Sequence, residues 1–386
     1  MQSLSGLVVL EFSRVLAGPW CAMMLADLGA DVLKIEGLDG DETRGLGPPF
    51  RDGLSAYFAC CNRNKKSLAI DLRNPMSRGL VAGLVRQADV VIESYRTGVA
   101  EALGLGYAEL STINPQLVYC AISGYGRTGP DAQRPGYDFA VQAESGLMSI
   151  TGPAQGEPCK VGVAVADLAT GQNAAIAILA ALRHRDATGQ GQYIDVSLFD
   201  TQLSWLANIS SGVLFSGKDA ARHGNAHASI VPYQAFAASD GEFVLAVASE
   251  KLWRLACDAI GRREWIDHPD YRDNAARVRN RSVLCAMLAD TFAGQSVRHW
   301  LDVFTAAGVP ASDIRSVGQA LAAPLTQARG MTLTIDGVPM VASPLHLSET
   351  PVQYRLPPPK LGQHSDEIVC WAGGNPQALR DAGAIP

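Results

Sequence analysis

Gly6-Leu7-Val8-Val9-Leu10-Glu11-Phe12-Ser13-Arg14-Val15-Leu16-Ala17-Gly18-Pro19-Trp20-Cys21-Ala22-Met23-Met24-Leu25-Ala26-Asp27-Leu28-Gly29-Ala30-Asp31-Val32-Leu33-Lys34-Ile35-Glu36 contains a strand, a helix and a second strand. Leu7 to Leu10 and Val32 to Glu36 are apolar runs of strand length. The helix between them is expected from about Gly18-Pro19 to Leu28. Pro19 suits a first turn, where its missing N–H is no loss, and Gly29 supplies a stop. Such a βαβ unit needs parallel pairing through a crossover helix, so an α/β fold with a parallel sheet is expected. Glu36 stands where a dinucleotide site carries its ribose-binding acid. The turn Phe12 to Gly18, however, lacks the spaced glycines that admit a pyrophosphate, so no NAD is expected there.

The alternation continues. A helix over about Pro75 to Ala88 leads to the strand Asp89-Val90-Val91-Ile92-Glu93, which ends in Ser94-Tyr95-Arg96. Ligands of open α/β sheets bind beyond the carboxyl ends of strands, which favours this tip. Gly124-Tyr125-Gly126-Arg127-Thr128-Gly129 matches G-x-G-x-x-G formally, but Pro130 and Pro135 follow instead of a helix, so it reads as a Gly-rich loop over a site. Residues 205–224 lose periodicity into Ser, Gly and Ala and read as a linker. Beyond it come a hairpin of Tyr233 to Ala237 with Glu242 to Ala248, helices near 250–260, 273–292 and 296–307, and a second hairpin turned by Asp336-Gly337.

Composition narrows the function. The 386 residues are 47% hydrophobic and 18% charged with a net charge of −6, which describes a folded chain with no general attraction for nucleic acid or an anionic membrane. Eight cysteines without a C-x-x-C imply a reducing compartment, and no basic n-region precedes the first apolar run, so a cytoplasmic location is expected. No apolar stretch is read as spanning a bilayer. Seven histidines include no zinc spacing, so no metal is expected.

Two charged features remain. Val161 to Ala166 is an apolar run that meets Asp167, and Thr170 to His184 then reads as a helix, so Asp167 lies where strand or loop becomes helix. Its carboxylate either caps that helix or faces a bound electrophile. Arg63, Lys65, Lys66 and Arg73 surround a short strand; they form either a solvated edge or a cradle for a phosphorylated ligand.

Arg14-Val15-Leu16-Ala17-Gly18-Pro19, Leu28 to Glu36, Asn64-Lys65-Lys66-Ser67, Ser123-Gly124-Tyr125-Gly126 and Gly162 to Gly171 around Asp167 together resemble the class III coenzyme A transferases, collinearly over almost the whole chain. The resemblance implies a Rossmann-like large domain at 1–204, completed by 345–386. It also implies a small α+β domain at 225–318, with linkers at 205–224 and 319–344, and two subunits threaded through one another as an interlocked homodimer. The implied substrates are an acyl-CoA and a carboxylic acid, with no permanently bound cofactor. Asp167 matches the catalytic aspartate. Arg14, Leu16, Ala17, Gly37, Ile70, Asp71, Leu72, Arg73, Ser94, Tyr95, Arg96, Tyr137 and Asp138 match CoA-binding positions. Gly37 and Ala102 replace arginines of formyl-CoA transferase, which shifts the phosphates to Arg73, Arg96 or the Arg63 to Lys66 cluster.

A carboxylate ionised at pH 7 attacks a thioester without a general base, giving a mixed anhydride and then an enzyme-CoA thioester. The family also resembles α-methylacyl-CoA racemase, but that enzyme's histidine is Tyr137 here, a poor proton shuttle. A non-catalytic CoA-binding subunit is the other alternative. Asn225 to Gln234 resembles the matching stretch of succinyl-CoA-dependent transferases for dicarboxylates, which offers His227, Ser229 and Tyr233, with His223 and Arg222 nearby, to a distal carboxylate.

Overall fold

The computed structural model describes residues 2–386, which fall into two compact units. The first takes in the chain up to Leu147, Lys160–Gly217 and Pro324–Pro386; the second is Met148–Cys159 with Lys218–Ala323.

The first unit is built on six parallel strands: β1 (Val8–Phe12), β2 (Asp31–Glu36), β3 (Lys65–Ala69), β4 (Val90–Glu93), β5 (Val118–Ser123) and β6 (Gln192–Ser197). Their spatial order is 3-2-1-4-5-6, the doubly wound arrangement whose order reverses between β1 and β4. Strand side chains alternate, so Leu10, Phe12, Leu33 and Ile35 enter one core and Val9, Val32, Val90 and Ile92 the other. Helices cover both faces, which is why these strands are almost uniformly apolar. Helix α1 (Ala17–Asp27) crosses between β1 and β2, and α2 (Ser77–Gln87) precedes β4. The Gly124 to Gly136 loop leads into α3 (Asp138–Glu144) rather than opening a phosphate-binding helix. Its two ends touch backbone to backbone, since a Cβ on Gly124 would stand 2.6 Å from the Gly136 Cα.

Helix α4 (Val165–Thr188) starts earlier than its periodicity suggests. The run Val161 to Ala166 is no strand; its last two residues form the first turn of α4, which places Asp167 inside that turn. With 24 residues and an 18-residue window of mean hydropathy 1.4, α4 is long and apolar enough to cross a membrane, contrary to the sequence expectation. Half of that window is buried, and Ala166, Ala169, Ala174, Ala175, Ile178 and Ala181 pack the helix into the unit's core. Its closest approach is at Gly171, where an added Cβ would lie 2.5 Å from the Ala17 carbonyl oxygen and 3.1 Å from Trp20. Gly171→Val is expected to push α1 and α4 apart and destabilise the protein by about 1–3 kcal/mol, measured by denaturant unfolding.

Helix α5 (Leu198–Ser204) follows β6, and α6 (Ala207–Ser216) occupies the stretch read as a linker. Small residues and scattered apolar ones hide its period, and none of its residues is buried.

The second unit has a three-stranded antiparallel sheet with β8 (Glu242–Ala246) between β7 (Tyr233–Ala237) and β9 (Ala311–Asp313). Helices α7 (Glu250–Ala259), α8 (Arg281–Phe292) and α9 (Val297–Ala307) cover it. Phe292 lies at the centre of its core, with edge contacts at 5.1 Å to Phe236, Phe243 and Trp300. The helix expected over 273–292 is broken at Asn280 into two pieces, the first being Asn274–Arg279.

The chain ends in the first unit. A hairpin of β10 (Thr332–Ile335) and β11 (Val338–Val341) turns at Asp336-Gly337, both with positive φ. The tail then runs along edge strand β3: the Asn64 and His364 N–H groups donate to the Leu356 and Ser67 carbonyls, and the Asp71 N–H to Ala384. Helix α10 (Ser365–Trp371) packs Ile368 and Val369 beneath the sheet.

Candidate active site

A crevice opens beyond the carboxyl ends of β1 and β4, at the point where strand order reverses. Arg14, Leu16, Ala17, Ser94, Tyr95, Arg96, Tyr137 and Asp167 line its first part. Gly37, Ile70, Asp71, Leu72 and Arg73 line an adjoining part, and Arg14 and Tyr95 border both. Residues scattered from Arg14 to Asp167 thus converge because each follows a strand or opens a helix at the same end of the sheet. Arg127 braces the tip of β4: its guanidinium donates to Glu93 Oε1 and the Tyr95 carbonyl, each at 2.7 Å.

Asp167 is half-buried, and among the described residues nothing hydrogen-bonds its carboxylate. The cap of α4 comes instead from Asp138, whose Oδ1 accepts the Ala166 N–H at 2.8 Å. Asp138 Oδ2 accepts from Gln142 Nε2 at 2.7 Å, and Gln142 Oε1 accepts the Val161 N–H at 2.9 Å, so the approach to α4 is held from α3. Asp138 therefore backs Asp167 and is not among the residues lining the crevice. Burial, and after it the Asp138 charge, push the Asp167 carboxyl up to about 7. It is accordingly not fully ionised at neutral pH, as a carboxylate at its ordinary pKa would be. Tyr57, which the sequence reading passed over, stands close enough for its phenol to be pushed up to about 12, first by burial and then by Asp167. The apolar stretch Ala56-Tyr57-Phe58-Ala59 hides it.

The cations sort into two groups. Arg14, Arg73 and Arg96 are exposed, and among the described residues their guanidinium groups have no acceptor. The Arg63 to Lys66 cluster is not a phosphate cradle. Arg63 Nε donates to Asp27 Oδ1 at 3.0 Å, Lys65 lies 2.8 Å from Glu11, both are buried, and Lys66 is paired with Glu367. Glu36 is likewise occupied: Arg44 and Ser67 hold its carboxylate below the usual range despite burial. Arg63→Ala, which leaves the buried Asp27 carboxylate without its cation and with Asn64 as its remaining donor, is expected to cost about 3–5 kcal/mol of stability. Arg73→Ala is expected to leave stability in place and raise the KM for a CoA thioester about tenfold; thermal unfolding and initial rates measure the two.

In the second unit, His227 Nδ1 accepts the Ser229 N–H at 3.1 Å, its ring packs on Tyr233 at 5.4 Å, and Arg281 holds the His227 and Ala228 carbonyls. Arg222 is not free to meet a carboxylate, because it donates to the Ser149, Pro153 and Gly156 carbonyls.

Residues 4–365 match CoA-transferase family III. The chain is 42% identical to succinate–glutarate CoA-transferase of Agrobacterium fabrum, over 95% of this chain and 94% of that protein. It is 39% identical to succinyl-CoA:glutarate CoA-transferase of Homo sapiens, over 96% and 86%. Against succinyl-CoA:mesaconate CoA-transferase of Haloarcula hispanica the identity is 36%, over 97% of each. The crystal structure of a CAIB/BAIF family protein from Brucella suis superposes with a TM-score of 0.87 at 42% identity, covering 96% of this chain and 99% of that one. A crevice at the switch point, walled by the Asp167 carboxylate and three exposed arginines, thus occurs in a chain that belongs to CoA-transferase family III and is a CoA-transferase.

Proposed function

We propose that the protein moves CoA from succinyl-CoA to a dicarboxylate such as glutarate, with Asp167 as the nucleophile. The observation that carries this is the Asp167 carboxylate, half-buried on the crevice wall with no hydrogen-bond partner among the described residues. The names of the relatives, three of which pair succinyl-CoA or succinate with a dicarboxylate, support the substrate class. An Asp167 oxygen attacks the thioester carbonyl, the C–S bond breaks, and CoA leaves as thiolate. The thiolate then attacks the aspartyl carbonyl of the anhydride, releasing the donor acid and leaving an Asp167-CoA thioester. The acceptor carboxylate and the returning thiolate repeat these steps in reverse order, which regenerates the free carboxylate. Arg14, Arg73 and Arg96 hold the CoA phosphates, and burial keeps water from the anhydride. His227, Ser229 and Tyr233 are our candidates for the acceptor's far carboxylate.

The working form is an interlocked homodimer. Helix α6 supports this: it buries none of its own residues and leaves Leu214 and Phe215 82% and 94% exposed, an apolar patch that a second copy would cover. Eight free cysteines support a cytoplasmic location. Incubation with succinyl-CoA and a panel of mono- and dicarboxylic acids, read by mass, tests the reading: new dicarboxylyl-CoA products are expected. Products from monocarboxylates alone, or only hydrolysis, would overturn it.

A further inference from the structure

Val15 sits at φ 69°, in the left-handed region that a β-branched residue occupies only under strain. Both of its backbone polar groups are clamped. Its N–H donates to Asp41 Oδ2 at 3.3 Å, and the thiol of fully buried Cys61 reaches its carbonyl oxygen at 3.7 Å. Asp41 is itself fixed: Thr43 donates to Oδ1 from its N–H at 3.0 Å and its hydroxyl at 2.7 Å, and Lys34 Nζ lies 3.0 Å from Oδ2. The same ammonium donates to the Ser13 carbonyl at 3.1 Å and to Glu11 Oε1 at 3.2 Å. Lys34 therefore ties Ser13 to the carboxylate that grips Val15, and it has no exposure to solvent.

Strain of this kind persists only where the surroundings over-determine it. Here it shapes one segment, Arg14 to Gly18, every residue of which lines the crevice beside Asp167. The Val15–Leu16 peptide is planar, so with its carbonyl turned to Cys61 the Leu16 N–H faces the opposite way. Relaxing Val15 to a negative φ would rotate that peptide and redirect Arg14 against Leu16 and Ala17. Lys34, Thr43 and Cys61 line neither part of the crevice, and Asp41 borders only the second.

We infer that Asp41 and Lys34 are positioning residues. They hold Val15 in its left-handed conformation and thereby give Arg14 to Gly18 the shape that receives the acyl-CoA. This rests on the assignment of the crevice to a CoA thioester.

The test compares Val15→Pro, which forces φ negative and removes the N–H, with Val15→Gly, which adopts positive φ freely. Asp41→Asn and the Asp41→Asn/Val15→Gly double variant complete the set, with KM for succinyl-CoA, kcat and thermal unfolding measured for each. Val15→Pro is expected to show a KM about tenfold or more above that of Val15→Gly, at similar unfolding temperatures. Asp41→Asn is expected to raise KM comparably, and the added glycine to recover most of that loss. Equal KM values for the proline and glycine variants, or no recovery in the double variant, would overturn the inference. If Asp41→Asn does not fold, the proline–glycine pair decides. Amide hydrogen exchange at Leu16 to Gly18 needs no substrate: faster exchange in Val15→Pro than in Val15→Gly is expected, and equal rates overturn the inference. A wild-type protein that transfers no CoA would instead refute the function proposed above, leaving the exchange rates to judge this one.

Discussion

Asp167→Asn is expected to lower CoA transfer by about four orders of magnitude or more, because an amide oxygen cannot form the anhydride that carries every later step. Binding of free CoA should survive, since the exposed arginines and the β4 tip are untouched; equilibrium dialysis with CoA separates the two effects. The sign of the stability change is also defined. Burial raises this carboxyl to about 7, so folding favours its protonated form, and ionisation works against the fold as pH rises from the unfolded value toward 7. The asparagine variant is therefore expected to be more stable than wild type at pH 8, by on the order of 1 kcal/mol, and no more stable at pH 4. Transfer within tenfold of wild type would remove Asp167 from the mechanism.

The pH profile gives the second large effect. Only the ionised carboxylate attacks, so with Asp167 near 7 the kcat/KM for the acyl-CoA is expected to fall about tenfold per pH unit below neutrality, reaching about 100-fold at pH 5. Asp138 is the smaller cause of the raised value, after burial. Asp138→Asn removes its charge and keeps an Oδ1 for the Ala166 N–H, so the acid limb should move to lower pH without disappearing. Initial rates from pH 5 to 9 at sub-saturating acyl-CoA measure both. A profile flat across that range in wild type would contradict the assignment.

Local patterns made the sheet readable. The βαβ alternation, Pro19 at a first turn, Gly29 after a last one and Asp336-Gly337 between short strands all act within a few residues. Contacts over long separations were not readable in the same way. Arg63 and Lys65 look like a basic patch beside Arg73, yet their partners Asp27 and Glu11 are distant in sequence, and burial of those pairs removes them from ligand binding. The start of α4 was misplaced because its cap is contributed by Asp138 from another helix rather than by a residue just before Val165. Asp167 itself stood out only through family resemblance, since an acid in a first helical turn is ordinary. Its raised pKa depends on burial, which no motif encodes.

The C-terminal tail sets when this crevice is finished. The residues after strand β3 wall the adjoining part, but the outer hydrogen bonds of this edge run to Leu356, His364 and Ala384. During translation the nucleophile and the first four strands emerge long before those partners. A nascent chain can therefore carry every proposed catalytic and CoA-binding residue of the crevice while an unpaired β-edge is still exposed, and it is at this stage that chaperone binding or misassembly would act.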